Sequence, residues 1–133
     1  MSMPLKPTLA IADDDALQSE LLAAWLEQHG YDVLRFDSGD SLVSWASDTP
    51  SYVDAFLLDI DMPGRDGFQS CIDLKSIAIY SGTPAVFVSS VCPETVTERV
   101  SAAGGSWMVR KDADLLPRLT SWLQDNLRRP VPA

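Results

Sequence analysis

Four short apolar runs in this chain end in residues capable of chemistry. Thr8-Leu-Ala-Ile-Ala12 stops at Asp13 and Asp14, and Ala55-Phe-Leu-Leu58 stops at Asp59, with Asp61 two residues on. Pro84-Ala-Val-Phe-Val88 stops at Ser89, and Trp107-Met-Val109 stops at Arg110 and Lys111. If these ends converge, three or four carboxylates, one hydroxyl and one ammonium share a small site. Two carboxylates ~4 Å apart repel by about 4 kcal/mol at an effective dielectric of ~20. A cluster of three therefore takes up protons or binds a cation. Ligands that are all oxygen favour Mg²⁺, which keeps several waters and pairs with phosphate. An ammonium neutralises an incoming phosphoryl group, and a hydroxyl donates to one of its oxygens. A carboxylate can itself attack phosphorus and carry the group as an aspartyl phosphate. The set points to Mg²⁺-dependent phosphoryl transfer onto an aspartate.

Convergence depends on the elements between these runs. The apolar runs at 8–12, 55–58, 84–88 and 107–109, with a further one from Tyr31 to Phe36, read as strands. Amphipathic segments separate them. Leu17, Leu21, Leu22, Trp25 and Leu26 have the spacing of one helix face, Asp15 with Gln18 offers a capping box, and Gly30 stops the helix. Further helices are expected over 38–48 (closed by Pro50), 67–79, 93–103 (ended by Gly104-Gly105) and 115–127. Continuously apolar strands alternating with helices predict a doubly wound α/β fold, a five-stranded parallel sheet covered on both faces. Right-handed crossovers place every strand C-terminus on one edge, where such sheets bind ligands.

The 133 residues are about one domain's worth. Hydrophobic residues make up 46% and charged residues 22%, a globular composition. A net charge of −9 makes direct nucleic acid binding a poor prospect. The single histidine, His29, excludes paired-histidine metal sites, and Cys71 and Cys92 form no CxxC motif. No signal peptide or apolar span is visible, so a cytoplasmic location with no membrane contact is expected. The expected organisation is an extension over 1–7, one domain over 8–128, and a tail or linker start over 129–133.

The residues at the strand ends resemble the response-regulator receiver domain of two-component signalling. The resemblance is carried by Ala12-Asp-Asp-Asp15, Leu57-Leu-Asp-Ile-Asp-Met-Pro-Gly-Arg-Asp-Gly67, Pro84-Ala-Val-Phe-Val-Ser-Ser90 and Ala103-Gly-Gly-Ser-Trp-Met-Val-Arg-Lys111, and runs from about Leu9 to Leu127. It implies a flavodoxin-like (βα)₅ fold and a role for each matching residue. Asp59 is the implied phosphoacceptor. Asp14 and Asp59 ligate Mg²⁺ directly, together with the backbone carbonyl of Asp61, and Asp13 acts through a water. Ser89 is the switch hydroxyl, and Lys111 pairs with a phosphate oxygen. The implied donor is a phosphohistidine on a sensor histidine kinase or a histidine phosphotransfer protein. The implied output is a downstream protein or an output domain, with a phosphorylation-dependent homodimer as a further expectation. No conventional enzymatic turnover is implied.

Two positions depart from the family pattern. The family's lysine is usually followed by proline, whereas Asp112 follows Lys111; no cis-proline turn is expected. Met108 stands where an aromatic gate often lies, and Trp107 should point to the opposite side of its strand. Two alternative functions fit the same residues. One is a degenerate receiver serving as a phosphorylation-independent docking domain. The other is a phosphatase using Asp59-Ile-Asp61 as an Asp-x-Asp nucleophile motif.

Overall fold

The computed structural model describes residues 6–48 and 51–127. Most of the expected N-terminal extension, Pro50 and the C-terminal tail lie outside the described residues. Five strands alternate with five helices: β1 Thr8–Ala12, α1 Ala16–Gln28, β2 Asp32–Phe36, α2 Gly39–Asp48, β3 Ala55–Leu58, α3 Gly67–Lys75, β4 Ala85–Ser89, α4 Thr97–Ala102, β5 Trp107–Arg110 and α5 Leu115–Asn126. The strands form one parallel sheet in the order β2-β1-β3-β4-β5. This is the expected doubly wound α/β fold. The chain winds outward in both directions from β1 and β3, so the switch point lies between them.

Strand alternation divides the core into two layers. Leu9, Ile11, Ala55, Leu57, Val86, Val88 and Val109 face α1 and α5. Ala10, Ala12, Phe56, Leu58, Ala85 and Phe87 face α2, α3 and α4. Both faces of the central strands are buried, which explains why these strands read as unbroken apolar runs. Met108 packs against the α2–α4 layer. Trp107 turns to the other face and stacks on Trp122, ring centroids 5.4 Å apart. The opposed orientation of these two neighbours follows from the pleat, as anticipated.

Three sequence readings need correction. Leu17 and Leu21 are 66% and 56% exposed, so they form a stripe beside the buried face of α1, which is Ser19, Leu22, Ala23 and Leu26. A pair four residues apart lies on one side of a helix wherever that side faces. The third helix ends at Lys75 rather than Ile79. The Ser76 hydroxyl bonds back to the Asp73 carbonyl at 2.6 Å, Ile77 is extended, and a single 3₁₀ turn follows at Ala78–Tyr80. The fourth helix is also shorter. Pro93–Thr95 is a 3₁₀ turn, and Val96 breaks the helix at φ −127°, ψ 7° within a β-branched Thr95-Val96-Thr97 run.

Among the described residues one buried side-chain polar atom is an orphan. The Tyr31 hydroxyl is buried and has no hydrogen-bond partner among the described residues. Burial pushes its pKa up to about 12, so it keeps its proton at neutral pH.

Candidate functional site

The residues flagged at the strand ends are held by continuations of the sheet's own hydrogen bonds. The Asp13 N–H donates to the Phe36 carbonyl at 3.1 Å, tying the end of β1 to β2. The Asp59 N–H donates to the Ala12 carbonyl at 3.0 Å, and the Lys111 N–H to the Ser89 carbonyl at 2.8 Å. Asp13, Asp59 and Lys111 each stand one ladder step past the end of a strand, at the sheet's edge.

One oxygen from each of Asp13, Asp14 and Asp59 lies within 4.8 Å of the others. Asp13 and Asp59 are buried, and Asp14 is exposed at the rim. The Lys111 ammonium sits between the two buried carboxylates, 3.0 Å from Asp13 Oδ2 and 3.4 Å from Asp59 Oδ2. The other oxygen of Asp13, Oδ1, accepts the Asp15 N–H at 2.9 Å. Asp15 in turn caps α1 by accepting the Gln18 N–H at 3.0 Å. The anticipated capping box is therefore only half made. Its backbone N–H serves Asp13 and not Gln18, so the helix start orients the cluster.

The loop after Asp59 is braced from several sides. Gly64 has a positive φ of 75°, which a glycine adopts without strain. Arg65 reaches Asp40 of α2 at 3.4 Å and Asp73 of α3 at 3.3 Å. Asp66 caps α3 through the Gln69 N–H at 2.8 Å. The Gly67 N–H donates to the Ile60 carbonyl at 2.9 Å, and this buried glycine lies directly on the Asp59 backbone.

Electrostatics sets the character of the cluster. Burial is the largest effect on Asp59 and raises its pKa; Lys111 opposes this, Asp13 adds to it, and the result is about 6. Burial also works against the charge on Lys111, but the bond to Asp13 and the field of Asp59 outweigh it and hold its pKa above the ordinary lysine value. One ammonium therefore does not satisfy the negative charge in this corner. An all-oxygen donor set, a charge deficit and an open rim at Asp14 suit a small hard cation.

The flagged residues do not all join one contact network. Asp13, Asp14, Asp59 and Lys111 come together. Ser89 is buried as the last residue of β4, and its hydroxyl accepts the Val91 N–H at a long 3.4 Å. Asp61 is exposed in the β3–α3 loop, and its carboxylate is outside the cluster. The brace at Arg65 was missed in the sequence reading, because Asp40 and Asp73 flank it only in the fold. Its place inside the Met-Pro-Gly-Arg-Asp-Gly turn was the one available signal.

Residues 9–121 match the family model for the response regulator receiver domain. Protein PilH of Pseudomonas aeruginosa is 36% identical over 87 residues, which is 65% of this chain and 70% of PilH. The transcriptional regulatory protein AruR of the same organism is 33% identical over 76 residues, 55% of this chain but only 31% of AruR. The chain thus spans about a third of that longer relative. The chemotaxis protein CheY4 of Vibrio cholerae superposes with a TM-score of 0.82, covering 90% of this chain and 98% of CheY4 at 19% identity, a likeness of fold. Among the described residues no helix is long and apolar enough to cross a membrane. With the family model spanning most of the chain and the acidic cluster lying at the sheet's switch point, this protein belongs to the response-regulator receiver family.

Proposed function

We propose that the chain is a phosphoacceptor switch whose acceptor is Asp59. The single observation that carries this reading is the cluster of Asp13, Asp14 and Asp59 with Lys111 set between its buried members. An Asp59 oxygen attacks phosphorus, the bond from phosphorus to the donor imidazole breaks with its electron pair staying on the nitrogen, and the ring, already protonated on its other nitrogen, leaves as neutral imidazole. Asp59 then carries an acyl phosphate. Mg²⁺, the cation this oxygen set fits, neutralises charge on the phosphoryl oxygens when bound. Asp14 and Asp59 would hold it directly, with Asp13 acting through a water and Asp61 contributing its backbone carbonyl.

The remaining residues act on the phosphoryl group. Lys111 gives up its pairing with Asp59 to meet a phosphoryl oxygen. Ser89 turns its hydroxyl from the weak Val91 contact towards another. These new contacts favour a second conformation, which is the signal. The donor class is a phosphohistidine on a sensor histidine kinase or a histidine phosphotransfer protein. The recipient of the signal is a downstream protein, an output domain or a second phosphorylated copy. The domain phosphorylates and dephosphorylates itself without conventional turnover, and we place it in the cytoplasm.

The test is intact mass after incubation with Mg²⁺ and acetyl phosphate, beside an Asp59→Asn control. One phosphoryl adduct, stable in acid, labile to hydroxylamine, and absent both without Mg²⁺ and in the control, is expected. No adduct on either protein, with no detectable Mg²⁺ binding, would replace this reading with that of a docking domain. Sustained hydrolysis of a small phosphate monoester would favour the phosphatase reading.

A further inference from the structure

The turn that delivers Lys111 is closed by polar contacts centred on Asp112. The Asp112 N–H donates to the Arg110 carbonyl at 3.0 Å, which bends the backbone at Lys111. Asp112 Oδ1 accepts the Asp114 N–H at 2.9 Å, an Asx-turn leading into α5, and the Asp112 carbonyl accepts the Leu115 N–H at 3.2 Å. Arg118 approaches Asp112 and Asp114 at 3.6 Å each, but these groups are well exposed and such pairs contribute little. No cis peptide is present among the described residues. The side-chain bond to Asp114 joins two backbone bonds in holding this turn, one residue from the ammonium that meets Asp13 and Asp59.

We propose that Asp112 is a positioning residue for Lys111: its carboxylate holds the turn that aims the ammonium at Asp13 and Asp59. The Lys111 N–H bond to Ser89 fixes the strand side of this residue and the Asp112 turn holds the other side, which together set the root of its long flexible stem. A displacement of about 1 Å at a group of this kind can cost up to ~10²-fold in rate. The inference rests on the phosphoacceptor reading where its readout is a transfer rate.

The experiment measures initial rates of adduct formation from acetyl phosphate at saturating Mg²⁺ for Asp112→Ala, Asp112→Ser and Asp112→Asn. Each variant is also made in a Lys111→Met background. Asp112→Ala is expected to slow transfer roughly tenfold. Asp112→Asn, whose amide oxygen makes the same turn, should stay near the wild-type rate, and Asp112→Ser should fall between, because hydroxyls make this turn more weakly. In the Lys111→Met background Asp112→Ala should cost nothing further, since residues acting through one group are not additive. A wild-type rate for Asp112→Ala would overturn the proposal. So would a loss that persists without Lys111, or an Asp112→Asn variant as slow as Asp112→Ala. The Lys111 ammonium resonance supplies a second readout that needs no phosphorylation. It should be protected from exchange in wild type and Asp112→Asn, and lost in Asp112→Ala. If wild type takes up no phosphoryl group, the phosphoacceptor reading fails, and the resonance alone decides the role of Asp112.

Discussion

A β-carbon added at Gly67 would lie 2.2 Å from the carbonyl oxygen of Asp59. The first residue of α3 is thus packed on the backbone of the candidate acceptor, and relief requires one of them to move. Gly67→Ala is expected to lower stability by about 1–3 kcal/mol, the usual cost of overpacking. It should also slow phosphoryl uptake at temperatures where the variant is fully folded. Urea denaturation and the mass assay check the two effects separately. Unchanged stability would mean that the α3 start yields freely.

The raised pKa of Asp59 makes a signed prediction about pH. The folded protein holds a proton there up to about pH 6, whereas the unfolded chain releases it near 3.8. The folded state therefore binds more protons across that window, and stability falls as pH rises through it. In metal-free protein, Asp59→Asn removes this loss and should gain stability at neutral pH, with little gain below pH 4. Urea titrations at several pH values measure it. An equal gain at all pH values would assign the effect to something other than ionisation.

Lys111 neutralises part of the charge that also attracts a cation. Lys111→Met should tighten Mg²⁺ binding by about tenfold at low salt, and less at high salt. The same substitution should weaken phosphoryl uptake. Calorimetric Mg²⁺ titration checks the first effect. Weaker binding in the variant would show that the lysine organises the carboxylates more than it competes with the cation.

Tyr31→Phe is the stabilising substitution that this structure singles out. It removes a buried hydroxyl with no partner among the described residues and keeps the ring that fills the core beside Leu26. An unsatisfied buried donor costs about 1–3 kcal/mol, so a gain in that range is expected. The gain should grow above pH 10, where the unfolded tyrosine ionises and the folded one resists up to about 12. Thermal denaturation of the two proteins decides it.

Much of this architecture was legible because parallel strands are dry on both faces. Ala55-Phe-Leu-Leu58 has no polar residue to misread, so the position of Asp59 at its end followed at once. The same logic placed Asp13 and Lys111, and the pleat alone separated Met108 from Trp107. Helix detail was less legible. The spacing of Leu17 and Leu21 is the same whether they face the sheet or water. The break at Val96 depends on a balance between β-branched residues and a proline start. The hydrogen bond from Asp15 to Asp13, the brace around Arg65 and the turn held by Asp112 are tertiary or side-chain arrangements with no periodic trace. These are the contacts that tune the site, so the chemistry was easier to read than its alignment.

The placement of the four indoles bears on how switching can be watched. Trp25, Trp107 and Trp122 all belong to the layer shared by α1 and α5, and Trp45 packs against Phe36 near the opposite edge from β5. Met108, which has no useful emission, stands on the α4 side of β5. Trp107 is in register with Val86 of β4 and lines a cleft with Thr97 and Val100 of α4, so a rearrangement there reaches this indole. In this domain Trp107 is thus the native optical reporter of β4 and α4, and a tryptophan introduced in place of Met108 would add a second one on the opposite face of β5.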